Sequence, residues 1–321
     1  MISKLIYGVV LILMLSTMPS SYAQVVTQPE NQHTDKQKIV VVTGARFSYK
    51  LIQHWIDEFN KQFPDIQVII ESRGSSDPAR FDILAEVYEQ DEALRKDRLY
   101  SYVARYAILP VATSTSEFAR TYATRGINDN LLKQIFFHNI FADKDEDEKV
   151  RAPSTTYTRY QKAGAPKVFA RYYGFEQKDI IGKAIAGSDE HLVRALLRDS
   201  TGLTYLPLPI VYDEETGKHV EGLTVIPVDI DGNGKVRDEE VLAFSSAGGL
   251  LERLENGGKT KVNVPIEYLH LSVAKSNVSA EALAFLKWVA EHGQSSLHRF
   301  GFLKSASDKP GVDRLAEWSS K

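Results

Sequence analysis

Apolar positions along the chain alternate between two spacings. Ile39-Val40-Val41-Val42 is an unbroken β-branched run, the signature of a strand buried on both faces. Thr43-Gly44-Ala45-Arg46 then turns the chain into a helix over residues 47–63, whose Leu51, Ile52, Trp55, Ile56 and Phe59 recur at helical spacing until Pro64-Asp65 ends it. Residues 67–71 read as a second strand and residues 81–87 as a third, so the opening stretch is a βαβ unit. Further on, residues 102–112 read as a strand and Asn128 caps a helix at 129–135. The pattern then predicts a helix over 156–173 that stops at Gly174, a helix over 188–199 capped by Ser188 and Asp189, and a strand over 204–211. A strand over 267–274 and a helix over 279–292 capped by Ser279 close the series. The alternation defines an α/β class, and no internal sequence repeat is visible.

At 321 residues, with 43% apolar and 25% charged positions, the chain is too long for one small core, so two lobes are expected. Residues 1–23 place Lys4 before the apolar run from Leu5 to Leu15 and end Ser21-Tyr22-Ala23, the layout of a cleaved secretory signal. The polar residues 24–37 read as a disordered leader. Cleavage after residue 23 leaves 38 basic against 42 acidic residues, a formal charge of −4 that argues against a general nucleic-acid or anionic-membrane surface. Cysteine is absent, which excludes disulfides, thiolate metal sites, a cysteine nucleophile and a lipidated cysteine. The run 143–149 mixes both charge signs and reads as a solvated loop.

Two stretches carry candidate chemistry. Arg151-Ala152-Pro153-Ser154-Thr155-Thr156-Tyr157 sets a basic side chain and hydroxyls before the predicted helix at 156, and a helix start with its unpaired N–H groups suits an oxyanion. An ordinary N-cap beside a surface arginine has the same local sequence. Residues 229–240 match the EF-hand calcium loop in full: Asp229, Asp231 and Asn233 at positions 1, 3 and 5, Gly234 at 6, Lys235 offering its carbonyl at 7, and Glu240 at 12. Arg237 at position 9 has no oxygen side chain, so a water would fill that place. The flank 222–228 is strand-like and only 241–255 can be helical, which favours a structural calcium over a sensor that opens a helix pair.

With these pieces placed, residues 38–305 resemble the substrate-binding proteins of phosphate ABC transporters, in a Bacteroidetes-like branch that carries a calcium-type loop. The likeness lies in Gly44-Ala45-Arg46-Phe47-Ser48-Tyr49, Glu71-Ser72-Arg73-Gly74-Ser75-Ser76, Arg151-Ala152-Pro153-Ser154-Thr155-Thr156, and Ala284-Phe285-Leu286-Lys287-Trp288 with Gly293-Gln294 and Gly301-Phe302. The resemblance implies a two-lobed periplasmic-binding-protein-like fold, each lobe a mainly parallel sheet flanked by helices. Residues 38–110 plus 261–306 would form one lobe and 111–260 the other, with 307–321 a tail. It further implies that the lobes close on an inorganic oxyanion, phosphate foremost, delivered to an ABC transporter permease. Arg46, Ser48, Ser75, Ser76, Arg151, Ser154, Thr155 and Thr156 would be the donors, with Asp82 or Glu86 accepting the hydrogen of protonated phosphate. The chain departs from the family in carrying Arg46 where a hydroxyl is usual, and Pro153-Ser154-Thr155-Thr156 where a Gly-Ser-Gly-Thr run is usual.

Three functions are weighed: an oxyanion carrier, an exported hydrolase, and a calcium-stabilised interaction module that has lost ligand binding. No Gly-x-Ser-x-Gly elbow or His-Glu-x-x-His occurs, and the eight histidines are scattered, so no enzyme is expected. Retained arginines and hydroxyl clusters favour the carrier, because arginines in a cleft are costly without an anion.

Overall fold

The computed structural model describes residues 38–71, 77–89, 96–137, 155–162, 164–256 and 262–305. The expected signal, leader and tail, the charged run 143–149, and Ser75, Ser76, Arg151 and Ser154 lie outside the described residues. The chain forms β1 (Lys38–Gly44), α1 (Tyr49–Gln62), β2 (Ile66–Ile70), β3 (Ile83–Glu86), β4 (Arg98–Thr113), α2 (Glu117–Tyr122) and α3 (Asp129–Phe136). It continues through β5 (Thr155–Arg159), α4 (Gly164–Tyr172), β6 (Lys183–Ile185), α5 (Asp189–Leu197), β7 (Gly202–Pro207), α6 (Leu208–Val211) and β8 (Leu223–Val225). Helices α7 (Asp238–Ala243) and α8 (Ala247–Asn256), strand β9 (Ile266–Ala274) and helix α9 (Ala280–His292) complete it.

The strands join in the order β2-β1-β3-β9-β4-β7-β5-β6, with β8 on β4. β1 runs parallel to β2 and β3, and β5 runs parallel to β6 and β7, while β4 and β9 are the antiparallel members between them. The two halves share one wiring. Each begins with a strand, crosses through a helix to a parallel neighbour on one side, and later adds a parallel neighbour on the other. That gives 2-1-3 in the first half and 6-5-7 in the second, a repeat of topology that the residue pattern does not display. β4 serves both halves. It pairs with β9 as far as Ala107, then with β7 from Ile108 and with β8 from Val111.

Hydrophobic spacing explains the packing. α1 buries the five positions that its periodicity singles out, and Trp55 donates to the Gly293 carbonyl (3.0 Å) beyond α9. Phe59 meets Phe285 of α9 edge-on, with centroids 5.2 Å apart. In the second half Phe169 stacks on Tyr205 at 4.2 Å, with Phe136 edge-on to Phe169. Asn60 on α1 reaches the outermost strand β2, donating to the Val68 carbonyl (3.2 Å) and accepting from its N–H (3.1 Å). Among the described residues, no helix is long and apolar enough to cross a membrane.

Two expectations fail. Residues 156–173 are not one helix: 155–159 form β5, paired with Gly202 and Leu203 on one side and Lys183 to Ile185 on the other, and α4 begins only at Gly164. Thr155, Thr156 and Thr158 are β-branched and gain a ladder on both sides, which overrides their capping tendency. Pro166 sits in the first turn of α4, where a missing N–H costs nothing. The strand expected over 204–211 ends at Pro207, because Pro209 has no N–H for a ladder, and residues 208–211 form α6.

Candidate functional site

In each half the chain reverses its sheet direction beside the first strand, β1 against β3 and β5 against β7. Open α/β sheets place ligands outside the carboxyl ends of strands at such switch points. Here each switch point also carries a helix start. After β1, Gly44 has φ +133°, and a Cβ on it would come within 2.1 Å of the Ala85 carbonyl oxygen, so only glycine fits. The Ala45 N–H donates to that same carbonyl (2.9 Å), and Arg46–Ser48 form a 3-10 turn leading into α1. After β5, α4 opens at Gly164, where a Cβ would lie 2.4 Å from Val87 Cγ2 and 3.2 Å from Tyr88 Cδ1. The short segment Ala85–Tyr88 at the end of β3 therefore touches both helix starts. The buried Tyr106 hydroxyl fixes it by donating to the Val87 carbonyl (2.5 Å), and Phe47 packs on the Tyr106 ring at 4.8 Å. Lys167, on the first turn of α4, lies 4.3 Å from the centre of the Tyr88 ring. Among the described residues, contacts between opposite charges join the halves at Lys50 and Glu214 (3.0 Å), at Arg171 and Glu267, and at His298 Nε2 and Glu255 (3.0 Å).

The expected ligand residues distribute unevenly over this geometry. Arg46 and Ser48 stand at the α1 start, Arg46 exposed and Ser48 buried with its hydroxyl donating to the Ala45 carbonyl (2.7 Å). Glu86 ends β3 and so lies at the carboxyl end; its carboxylate accepts from the Ser272 hydroxyl (2.6 Å) and stands 3.9 Å from His270 Nε2. Asp82 precedes β3 and accepts from the Val41 N–H (2.8 Å), which places it at the opposite end of the strand. Thr155 and Thr156 are in β5, not at a helix start. The Thr156 hydroxyl donates to the Ile181 carbonyl (3.0 Å). Hydrogen bonds from Thr201, then from Tyr157 and Thr155, hold the Asp199 carboxyl down at about 2.

Residues that the sequence reading missed are Gly164, Lys167 and the β5–α4 connection. Ala163-Gly164-Ala165-Pro166 was the available signal, since proline marks the first turn of a helix.

The second candidate site is the loop 229–240. Asp229 accepts from the N–H groups of Gly232 (2.9 Å), Asn233 (3.2 Å) and Gly234 (2.6 Å), and Gly234 takes φ +87°. Glu240, on α7 and fully buried, accepts from Ile230 N–H (2.9 Å) and Arg237 N–H (2.9 Å). The Asn233 side chain accepts from the Lys235 N–H (2.9 Å). Carboxylate oxygens of Asp229, Asp231 and Glu240 lie within 4.8 Å of one another, two of the three side chains buried. Arg237 pairs with Asp231 and stands 3.7 Å from Glu240, a contact that the loop pattern alone did not foretell. One guanidinium leaves three clustered carboxylates with excess negative charge in a partly desolvated place, and an all-oxygen donor set of this kind suits a hard cation. These residues fit a metal ion.

No protein-family model matches the chain, and no curated protein sequence matches it. Solved structures do. A Clostridium perfringens protein assigned to the phosphate ABC transporter substrate-binding class, solved with bound phosphate, superposes with a TM-score of 0.58 at 13% identity, covering 84% of this chain and 100% of its own. An ABC-type phosphate transport receptor from Vibrio cholerae gives 0.53 at 10% identity with the same coverage. Full-length OxyR C199D from Pseudomonas aeruginosa gives 0.50 at 10% identity, covering 87% of this chain and 71% of that one. The chain thus shares with these structures a mixed α/β fold, a curled sheet flanked by helices. Identities this low establish the fold and leave function to the site.

Proposed function

We propose that this chain is an exported, non-enzymatic solute-binding protein that captures an inorganic oxyanion, phosphate foremost, and hands it to an ABC transporter permease. The observation that supports this most is the convergence of two helix starts, at Arg46 and Gly164, on the one segment Ala85–Tyr88. First-turn N–H groups aim directional donors and partial positive charge at such a crevice, with Arg46 and Lys167 adding full charges. Ser75, Ser76, Arg151 and Ser154 are the further donors that the resemblance implies, and Glu86, at the crevice end of β3, is the acceptor that would favour protonated phosphate over sulfate. The export signal at residues 1–23 supports a periplasmic location. The loop 229–240 holds calcium as a structural ion.

Calorimetric titration with phosphate, sulfate and arsenate, with and without calcium, tests the reading. Binding of phosphate with Arg46→Ala weakened at least tenfold is the expected result. If no tetrahedral oxyanion binds at about millimolar concentration with calcium present, where even a weak specific site of about −4 kcal/mol is half filled, the carrier reading is wrong.

A further inference from the structure

At the far end of α4 from the crevice, a cavity of about 480 Å³ opens between α3 and α4, lined by Asp129, Lys133, Arg171, Tyr172, Tyr173 and Asn263 and closed on one side by Gly232 of the acidic loop. The volume is that of a small-molecule site, not of a crevice left by imperfect packing. α4 spans nine residues, so this cavity is separated from Gly164 by roughly 12 Å of helix.

Its walls are built. Asn263 donates from its side-chain amide to Asp129 (3.2 Å) and to the Asp229 carbonyl (3.0 Å). It accepts from the Tyr172 hydroxyl (2.7 Å), and its backbone N–H donates to the Ile230 carbonyl (2.7 Å). That network locks one wall. Tyr172 and Tyr173 meet edge-on with centroids 4.9 Å apart, presenting ring surface beside it. Burial, with Asp129 and Asp229 nearby, pushes the Tyr172 hydroxyl up to about 12, so it stays a donor at any physiological pH.

The charges decide the ligand. Asp129 and Lys133 stand one turn apart on α3, both half-buried, close enough for the lysine charge to act on the carboxylate. Arg171 lines the cavity as well and is paired with Glu267. A simple anion would be drawn to Lys133 but would face Asp129; a simple cation would be drawn to Asp129 and the aromatic rings but would face Lys133 and Arg171. A molecule that carries an ammonium and a carboxylate a few bonds apart satisfies both walls.

We infer that the cavity between α3 and α4 is a second ligand site, for a small zwitterion of the free amino-acid class, with its ammonium on Asp129 and the Tyr172–Tyr173 rings and its carboxylate on Lys133. The oxyanion crevice is a separate site. Asn263 shares its amide between this cavity and the Asp229 loop, so zwitterion and loop geometry are linked through one side chain.

The test is thermal unfolding of the full chain, with calcium and phosphate present throughout, against glycine, L-alanine, L-glutamate, L-lysine and L-phenylalanine singly at about 10 mM, and against acetate and methylammonium at the same level. At least one amino acid raises the midpoint by several degrees, while acetate and methylammonium leave it in place. Lys133→Met and Asp129→Asn each weaken that amino acid at least tenfold and leave phosphate titration unchanged. The proposal is overturned if no amino acid moves the midpoint, if acetate or methylammonium alone reproduces the shift, or if the shift survives in both variants. It is equally overturned if phosphate competes with the amino acid, which would put the zwitterion in the crevice.

Discussion

Gly164 at the start of α4 stands so near Val87 at the end of β3 that a Cβ there would come within 2.4 Å of a Val87 methyl. The close approach is what lets a helix start from one half of the molecule reach the strand end of the other. Gly164→Val is therefore expected to push the two apart, at a cost of about 1–3 kcal/mol for inserting bulk into a packed contact. Oxyanion affinity should fall with it. Denaturant unfolding together with phosphate titration checks both, and a variant with unchanged stability and affinity would show that the contact positions nothing.

The acidic loop predicts a metal-dependent melting point. At a calcium concentration about a hundredfold above its Kd, mass action adds about 2.7 kcal/mol, worth roughly 4–5 °C in a chain of this size. Chelation should remove that increment, and Glu240→Gln should make the midpoint indifferent to calcium. Identical melting curves with calcium and with chelator would mean that Arg237 alone balances the loop.

Asp199 predicts a pH signature. Its folded carboxyl titrates near 2, below its ordinary value, chiefly because the Thr201 hydroxyl and N–H donate to it. The stability this provides is complete above the ordinary carboxylate range near 4 and is lost as pH falls toward 2. Wild type should exceed Asp199→Asn by a fraction of a kcal/mol at pH 6, since solvent still reaches this half-buried site and screens it, and the two should converge near pH 2. A gap that stays constant across this range would assign the effect to packing.

Asn60 holds the outer edge of β2 through both polar groups of Val68. Asn60→Leu should cost about 1–3 kcal/mol, because the two backbone groups lose partners and regain them only from water. Urea unfolding reads this directly. A loss below about 0.5 kcal/mol would mean that water replaces the amide without penalty.

Much of the fold is visible in local pattern. The five buried positions of α1, the run Ile39–Val42 and the Asn128 cap needed no partner to be recognised, since helical period, β-branching and capping are properties of a few neighbouring residues. The clustering of Asp229, Asp231 and Glu240 was equally legible, because all three fall within twelve consecutive positions. The β5–α4 region was not. Thr155 and Thr156 carry the hydroxyls of a helix cap and the branching of a strand, and Gly202 and Leu203, more than forty residues away, decide between them. The approach of the α4 start to β3 depends on Gly164 meeting Val87, and one ion pair between the halves on Lys50 meeting Glu214; nothing local encodes such meetings. Asp82 and Glu86 look interchangeable as acceptors in the sequence, yet lie at opposite ends of one strand.

β4 changes partners between Ala107 and Ile108 without breaking. A flexible tether between two bodies lets each melt on its own schedule, but a shared strand does not, because stripping β7 and β8 from its second half frays the ladder that β9 needs in its first. Calorimetry should accordingly record one heat-absorption peak. Any rocking of one half against the other must also be taken up as added twist along this strand, so the motion works against a restoring force and its amplitude is set by backbone stiffness rather than by linker length.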